Sequence, residues 1–214
     1  MLIKERMTHN PITVREDTSL DEAMRIMKRE KIRRLPILDD AGKLVGIVSN
    51  RDLLAASPSQ ATTLSKYEVG YLISKITMQE IMTSNVITVQ EDTPVEEAAR
   101  IMADNKIGGV PVMRGDTLVG IITETDLFKV FLEVLGAREQ GLRITIMAHE
   151  GKGMLAELTA CIAQLGGNIV SLGTFLGDDP TTRLITLKVQ DVPREDLLPI
   201  IEGLEEEIID IRDT

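Results

Sequence analysis

Apolar residues at Leu20, Ala23, Met24 and Met27 recur at spacings of three and four, which predicts a helix with one buried face. The same stripe returns at Val95, Ala98, Ala99 and Met102. Ahead of the first stripe, Ile12 to Val14 reads as a short strand. After it, Leu35 to Leu38 and Leu44 to Val48 flank the turn residues Asp39, Asp40, Ala41 and Gly42 and predict a strand pair, with Val110 to Met113 and Leu118 to Ile122 as counterparts. A further helix opens at Ser49 and again at Thr123. Thr93 is placed to cap the helix of the second stripe, with Pro94 in its first turn and Glu96 completing a capping box; Thr18 and Asp21 hold the equivalent places in the first copy.

These matched elements belong to an internal repeat. The run Met7, Thr8, His9, Asn10, Pro11, Ile12, Thr13, Val14 returns as Met82, Thr83, Ser84, Asn85, Val86, Ile87, Thr88, Val89, and the match continues to Leu54 and Phe128. Each copy is a β-α-β-β-α unit with too little core to be stable alone, so the two are expected to pack sheet to sheet about a pseudo-twofold axis. Between them, Ser57 to Lys75 reads as a linker with a short helix around Tyr67 to Ile73. From Leu142 the pattern changes. Alternating Leu142, Ile144, Ile146 and Ala148 predict a strand, Met154 to Leu165 a helix and Asn168 to Phe175 a second strand. A turn at Gly177, Asp178, Asp179 and Pro180 precedes a third strand carrying Ile185, Leu187 and Val189. A helix from Pro193 to Leu204, bent at Pro199, and a strand at Ile208 to Ile211 complete a β-α-β-β-α-β order, that of a ferredoxin-like sandwich. The fold class is therefore mixed α/β (α+β).

Charge and composition narrow the function. A formal net charge of -10 over 214 residues disfavours a phosphate-neutralising surface, and 2% aromatic residues disfavour base stacking, so no nucleic-acid partner is expected. The single cysteine, Cys161, falls on an apolar stripe with Leu155, Leu158, Ile162 and Leu165 and reads as a small buried hydrophobe. With no disulfide possible, no apolar run of membrane-spanning length and a charged start at Met1 to Met7, a cytoplasmic protein with no membrane partner is expected. His9 and His149 are the two histidines, and neither a nucleophile–base pair nor metal-ligand spacing is present, so no catalytic or metal residues are assigned and an enzyme is not expected.

The candidate chemistry sits where the helices after the strand pairs begin. Ser49 and Asp52 flank one such start, and Thr123 and Asp126 repeat the device. A helix N-terminus offers outward N–H groups, and an ionised carboxylate can accept both hydroxyls of a ribose. A single Ser/Thr-x-x-Asp is more often an N-cap than a ligand site. Its recurrence after Gly46, Ile47, Val48 and after Gly120, Ile121, Ile122 tips the balance toward binding. Gly46 and Gly120 are open between strand packing and ligand clearance.

The tandem arrangement resembles the cystathionine-β-synthase (CBS) domain pair, or Bateman module. The residues that carry the resemblance are Arg33, Arg34, Leu35, Pro36, Ile37, Leu38, Asp39 with Gly46, Ile47, Val48, Ser49, Asn50, Arg51, Asp52, and in the second copy Ile107, Gly108, Gly109, Val110, Pro111, Val112 with Gly120, Ile121, Ile122, Thr123, Glu124, Thr125, Asp126. The resemblance implies that the aspartate binds ribose, that the stretch before the first strand and the Leu-Pro or Val-Pro strand sandwich adenine, and that basic residues before that strand take phosphate. By position it implies a first site of Ile12, Thr13, Arg34, Leu35, Pro36, Ser49 and Asp52 and a second of Ile87, Thr88, Val110, Pro111, Thr123 and Asp126. Because Arg33 and Arg34 become Gly108 and Gly109, the first site is expected to favour AMP or ADP, and the second to be weaker, to prefer a less charged adenosyl compound or to be empty.

The C-terminal pattern resembles the ACT domain, through Gly153 and Leu155 at the first helix and Gly166, Gly167, Asn168 and Ile169 before the second strand. That resemblance implies an amino acid bound at a domain interface, although Glu150 and Lys152 stand where the ACT family often has an acidic residue and a proline. The expected domains are residues 1–56 and 76–135 for the two CBS repeats, 57–75 for the linker and 141–214 for the ACT-like domain. The combination resembles the acetoin utilisation (AcuB) group of bacterial regulators. It implies a non-enzymatic sensor of adenine nucleotides (AMP, ADP, ATP or S-adenosylmethionine), with no obligatory cofactor, signalling through a homodimer to an unidentified protein partner in acetoin or acetyl-CoA metabolism. A ligand-independent dimerisation scaffold and an amino-acid sensor acting through the ACT-like domain are the alternatives.

Overall fold

Both predicted stripes form helices, and each repeat begins on its neighbour. The computed structural model describes residues 1–58, 65–149, 151–177, 179–204 and 207–214. Contacts divide the chain into two units, Met1–Leu127 and Phe128–Thr214.

In the first unit a single 3-10 turn at Ile3–Glu5 precedes β1 (Thr8–His9), β2 (Val14–Arg15), α1 (Leu20–Glu30), β3 (Arg34–Leu38), β4 (Leu44–Ser49) and α2 (Asn50–Ala56). The linker helix α3 (Lys66–Lys75) follows, then α4 (Met78–Ile81), β5 (Val89–Gln90), α5 (Val95–Asn105), β6 (Gly109–Arg114), β7 (Thr117–Thr123) and α6 (Glu124–Val134), within which the two units meet in sequence. Leu20, Ala23 and Met27 of α1 are buried with Leu35, Ile37 and Val48, and α5 buries Val95, Ala98 and Met102 in the same way. Full burial of each large side chain stabilises by about 1.5–3 kcal/mol, which is what holds these short helices in place. Residues 59–64 of the linker lie outside the described residues.

The sheets show the exchange. One has the order β2-β3-β4, whereas the other is β1-β7-β6-β5, its edge strand coming from the first repeat. Thr8 and His9 pair antiparallel with Ile121 and Gly120, and the equivalent Thr83 bridges Ile47. The turn before β1 bonds to the second repeat (Ile3 N–H to Thr93 O, 2.9 Å; Lys4 N–H to Glu91 O, 2.9 Å). The segment before β5 does the same to the first (Met78 N–H to Thr18 O and Gln79 N–H to Glu16 O, both 2.9 Å). Ile3 and Met78, equivalent positions, are each fully buried.

This exchange corrects the predicted helix starts. Ser19, not Thr18, is the N-cap of α1, its hydroxyl accepting from Glu22 N–H at 3.3 Å. Pro94, with no side-chain cap, precedes α5, so the Thr93–Glu96 box does not form. Thr18 and Thr93 are committed elsewhere, since their carbonyls accept from the exchanged segments. The first helical N–H groups, of Leu20 and Val95, donate to the carbonyls of Ile76 (2.8 Å) and Met1 (3.2 Å). The first predicted strand is also shorter: Val14 and Arg15 pair with Ile37 and Leu38, while Ile12 and Thr13 leave the ladder.

The second unit carries β8 (Leu142–His149), α7 (Met154–Gln164), β9 (Asn168–Leu176), β10 (Thr182–Gln190), α8 (Arg194–Gly203) and β11 (Glu207–Asp213). Its sheet order β11-β8-β10-β9 is antiparallel throughout, the ferredoxin-like arrangement expected from the element order. Ile144, Ile146, Ile185 and Leu187 meet Leu158, Ile162, Leu197 and Ile201 of the two helices. Gly153 takes φ 96° at the start of α7, a left-handed conformation that glycine adopts without strain. Cys161 is half-buried and Leu155 is exposed, so the cysteine's stripe is narrower than predicted. The buried Lys188 donates to the carbonyls of Gly136 (2.8 Å) and Glu139 (2.7 Å). Glu150 and Asp178 lie outside the described residues. Among the described residues no helix is long and apolar enough to cross a membrane.

Candidate functional site

Both Ser/Thr-x-x-Asp segments form the cap that their chemistry allows. Ser49 is the N-cap of α2; its N–H and hydroxyl both donate to Asp52 Oδ2 at 2.7 Å, and its oxygen faces Asp52 N–H at 3.4 Å. At α6 the N–H of Thr123 (3.1 Å) and its hydroxyl (2.8 Å) donate to Asp126 Oδ2 in the same manner. Each carboxylate is thus held in one orientation at a helix start. The cap reading and the site reading are both realised, because each pair also lines a cleft.

The first cleft, of about 490 Å³, joins Ser49 and Asp52 to Asn85, Val86 and Ile87 and to the stretch from Lys106 to Gly109 with Pro111. The second, of about 410 Å³, joins Thr123 and Asp126 to Asn10, Pro11 and Ile12 and to Lys31 and Ile32. Both volumes fall in the range of small-molecule sites. Arg33 and Arg34 line both.

The grouping of site residues by repeat is therefore corrected. Ile12 belongs with Asp126 and Ile87 with Asp52, because each exchanged segment carries the stretch before β2 or β5 across to the other repeat's helix start; Pro111, on β6, also lines the Asp52 cleft. Leu35 and Val110 are fully buried in the core and Pro36 is buried, none of them lining either cleft. Strand alternation explains Leu35 and Val110, which point to the helix side, whereas Pro111 points to the cleft; Pro36, on the face opposite Leu35, is covered without lining either cleft. Thr13 lines neither cleft, and Thr88 is exposed in a separate groove with Lys43 and Asp116.

The glycine pair also acts otherwise than expected. Gly108 and Gly109 line the first cleft together with Arg33 and Arg34, so they do not make the second site charge-poor. The first cleft holds Arg33, Arg34, Arg51 and Lys106 against Asp52; the second holds Lys31, Arg33 and Arg34 against Glu124 and Asp126. Arg34 is half-buried. Burial lowers its pKa, Glu124 raises it, Arg33 lowers it and Asp52 raises it. Lys31 and Lys106, absent from the sequence-derived set, end α1 and α5 in left-handed conformation at φ 55° each. Both are lysines at equivalent places, a doubled signal of the kind that marked the aspartates, and so are Asn10 and Asn85. Among the described residues no group of three or more His, Cys, Asp or Glu could hold a metal ion.

Gly46 and Gly120 resolve toward packing. A Cβ at Gly46 would collide with the Met82 side chain (Cγ at 2.9 Å), and one at Gly120 with Met7 (Cγ at 3.0 Å). Gly46→Ala is expected to cost about 1–3 kcal/mol by overpacking, and Met82→Ala in the same chain to recover part of it, measured by denaturant unfolding. Unchanged stability with weakened ligand binding would return the glycine to a ligand-clearance role.

The sequence profile of the CBS domain matches residues 3–59 and 78–133. Among solved structures, the CBS domain pair of protein MJ0100, in complex with 5′-methylthioadenosine and S-adenosyl-L-methionine, is 36% identical with a TM-score of 0.52; the match covers 65% of this chain and 98% of that one. A Vibrio cholerae protein assigned to acetoin utilization (AcuB) is 34% identical with a TM-score of 0.53, over 65% of this chain and 96% of that one. CBSX2 in complex with AMP is 31% identical with a TM-score of 0.51, over 62% and 97%. Longer curated relatives include an L-aspartate semialdehyde sulfurtransferase of Methanocaldococcus jannaschii, 37% identical over 131 residues, 61% of this chain; the chain spans 23% of that protein's length.

Proposed function

Because the chain belongs to the CBS domain family, we propose that it is a non-enzymatic regulator that senses an adenosyl compound through its two clefts. The observation that carries this reading is the matched pair of clefts, each bringing together a cap-held aspartate, an apolar stretch (Val86 and Ile87, or Pro11 and Ile12) and two or more cations. Apolar walls suit a purine, the aspartate suits ribose hydroxyls and the arginines suit phosphate. The complexes of similar CBS pairs with AMP, 5′-methylthioadenosine and S-adenosylmethionine support the same ligand class. The working site set is Ile12, Arg34, Ser49, Asp52, Ile87, Pro111, Thr123 and Asp126.

We further assign residues 1–56 and 76–135 as the CBS repeats, 57–75 as linker and 141–214 as an ACT-like domain, on the strength of the ferredoxin-like strand order and the glycine at the start of α7. Signalling runs through a homodimer to a metabolic protein partner in the cytoplasm. Exposed Phe128, Phe131 and Val134 on α6 and Phe175 and Leu176 on β9 support self-association.

In protein freed of bound ligand, an adenosyl compound at about 100 times its Kd is expected to add about 2.7 kcal/mol of stability. A melting screen of AMP, ADP, ATP, adenosine and S-adenosylmethionine, with light scattering on the same samples, tests both parts. No shift with any compound favours the scaffold alternative, and a monomer at micromolar concentration removes the dimer.

A further inference from the structure

We infer that Arg34 couples the two clefts, so that an anionic ligand beside Asp52 makes the Asp126 cleft favour a cationic adenosyl compound over an anionic one. The inference rests on the adenosyl-sensing reading above and adds to it a direction of regulation.

Arg34 lines both clefts, and its side chain occupies ground left open by two glycines. A Cβ placed on Gly108 would strike the Arg34 guanidinium at Nη2, and the same point lies 2.6 Å from Glu124 Oε2 and 2.8 Å from its Cδ. A Cβ on Gly109 would stand 3.2 Å from Arg34 Cδ. The guanidinium and the Glu124 carboxylate thus converge over Gly108. Glu124 belongs to the second cleft and Asp52 to the first, and both favour the charged guanidinium between them. The repeat does not supply a second such arginine, because glycine stands at the equivalent positions. Of the two arginines shared by the clefts, Arg34 is the one set against Glu124 over Gly108.

A phosphate in the first cleft competes with Glu124 for that cation, since a phosphate monoester carries more charge than a carboxylate and takes a guanidinium bidentately. When Arg34 turns to the phosphate, the negative charge of Glu124 in the second cleft is less compensated. The partly buried setting keeps this charge from being fully screened. A second anion is then disfavoured there, a neutral ligand is indifferent and a cation is favoured. Linkage makes the effect reciprocal.

The test is calorimetric titration of the full chain with AMP (anionic) alone, read as two binding steps, and with 5′-methylthioadenosine (neutral) and S-adenosylmethionine (net cationic), each with and without one equivalent of AMP. Asp126→Ala, which weakens the second cleft, corrects for simple displacement of AMP from the first. AMP bound in the first cleft is expected to tighten S-adenosylmethionine in the second about fivefold or more, to weaken a second AMP by a similar factor and to leave 5′-methylthioadenosine unmoved. Glu124→Gln is expected to abolish both changes. Coupling of the same sign for all three ligands, coupling that survives in Glu124→Gln, or AMP binding with no effect on the second cleft each overturns the inference and leaves the sensor reading standing. Failure of all three compounds to bind either cleft overturns the sensor reading itself.

Discussion

Replacing Ile3 with alanine is expected to cost about 2–5 kcal/mol, the loss of a fully buried core residue, although it stands third in the sequence. Ile3 is inaccessible to solvent, and its N–H is bonded to Thr93 in the opposite repeat. Around it, Lys4 bonds Glu91, the Met1 carbonyl accepts the first N–H of α5, Asn10 N–H donates to Val119 and Met7 fills the space over Gly120. Removing residues 1–9 deletes all of these except the Asn10 bond and bares the edge of β7, a total comparable with the 5–15 kcal/mol that holds a typical domain folded. Met78→Ala, at the equivalent place in the other exchange, is expected to match Ile3→Ala within about 1–2 kcal/mol, given the context dependence of cavity formation. Urea unfolding followed by circular dichroism measures both variants. An Ile3→Ala protein within about 0.5 kcal/mol of the parent, the range of ordinary surface substitutions, would show that the exchanged segment is not part of the core.

The exchange is also where the sequence stops being legible. Periodicity reports the type of an element and the face it buries, and so α1, α5, the two strand pairs and every element of the C-terminal unit were readable from apolar spacing. It does not report which copy an element docks on. Two similar repeats offer the same kinds of partner twice, and apolar spacing does not decide between them. The signal was present: the match between copies runs back past Met7 and Met82 to the buried Ile3 and Met78, in a stretch too short and charged to stand out by hydropathy. The site inherited the same ambiguity. Asp52 and Asp126 are legible because cap chemistry is local, whereas spacing along the chain pairs Ile12 and Ile87 with the wrong aspartate, because they reach their clefts only through the exchange. Leu35 and Val110 failed for a simpler reason. In a strand covered on both faces, sequence does not show which face looks into a cleft, and theirs looks into the core.

The sharpest functional expectation concerns the charge on Arg34. Arg34→Ala is expected to weaken AMP about 10- to 150-fold, the value of a charge-assisted hydrogen bond worth about 1.5–3 kcal/mol, while adenosine changes by less than about threefold. The contrast follows from chemistry. Arg34 lines the first cleft with Arg33, Arg51 and Lys106, whose cations suit a phosphate, whereas the Asp52 carboxylate held by Ser49 suits the ribose hydroxyls that AMP and adenosine share. Asp52→Ala is therefore expected to weaken AMP and adenosine alike, and also to cost about 0.5–2 kcal/mol of stability through the lost capping box. Removing the arginine carries a second effect, because it takes away one of the cations beside Glu124 and adds repulsion to a lost attraction. The AMP loss should accordingly exceed that in Arg51→Ala, whose side chain lines only the first of the two clefts. Isothermal titration of AMP and adenosine against the three variants separates these roles. Equal losses of the two ligands in Arg34→Ala would contradict a phosphate role for Arg34 and leave it as a spacer between the repeats.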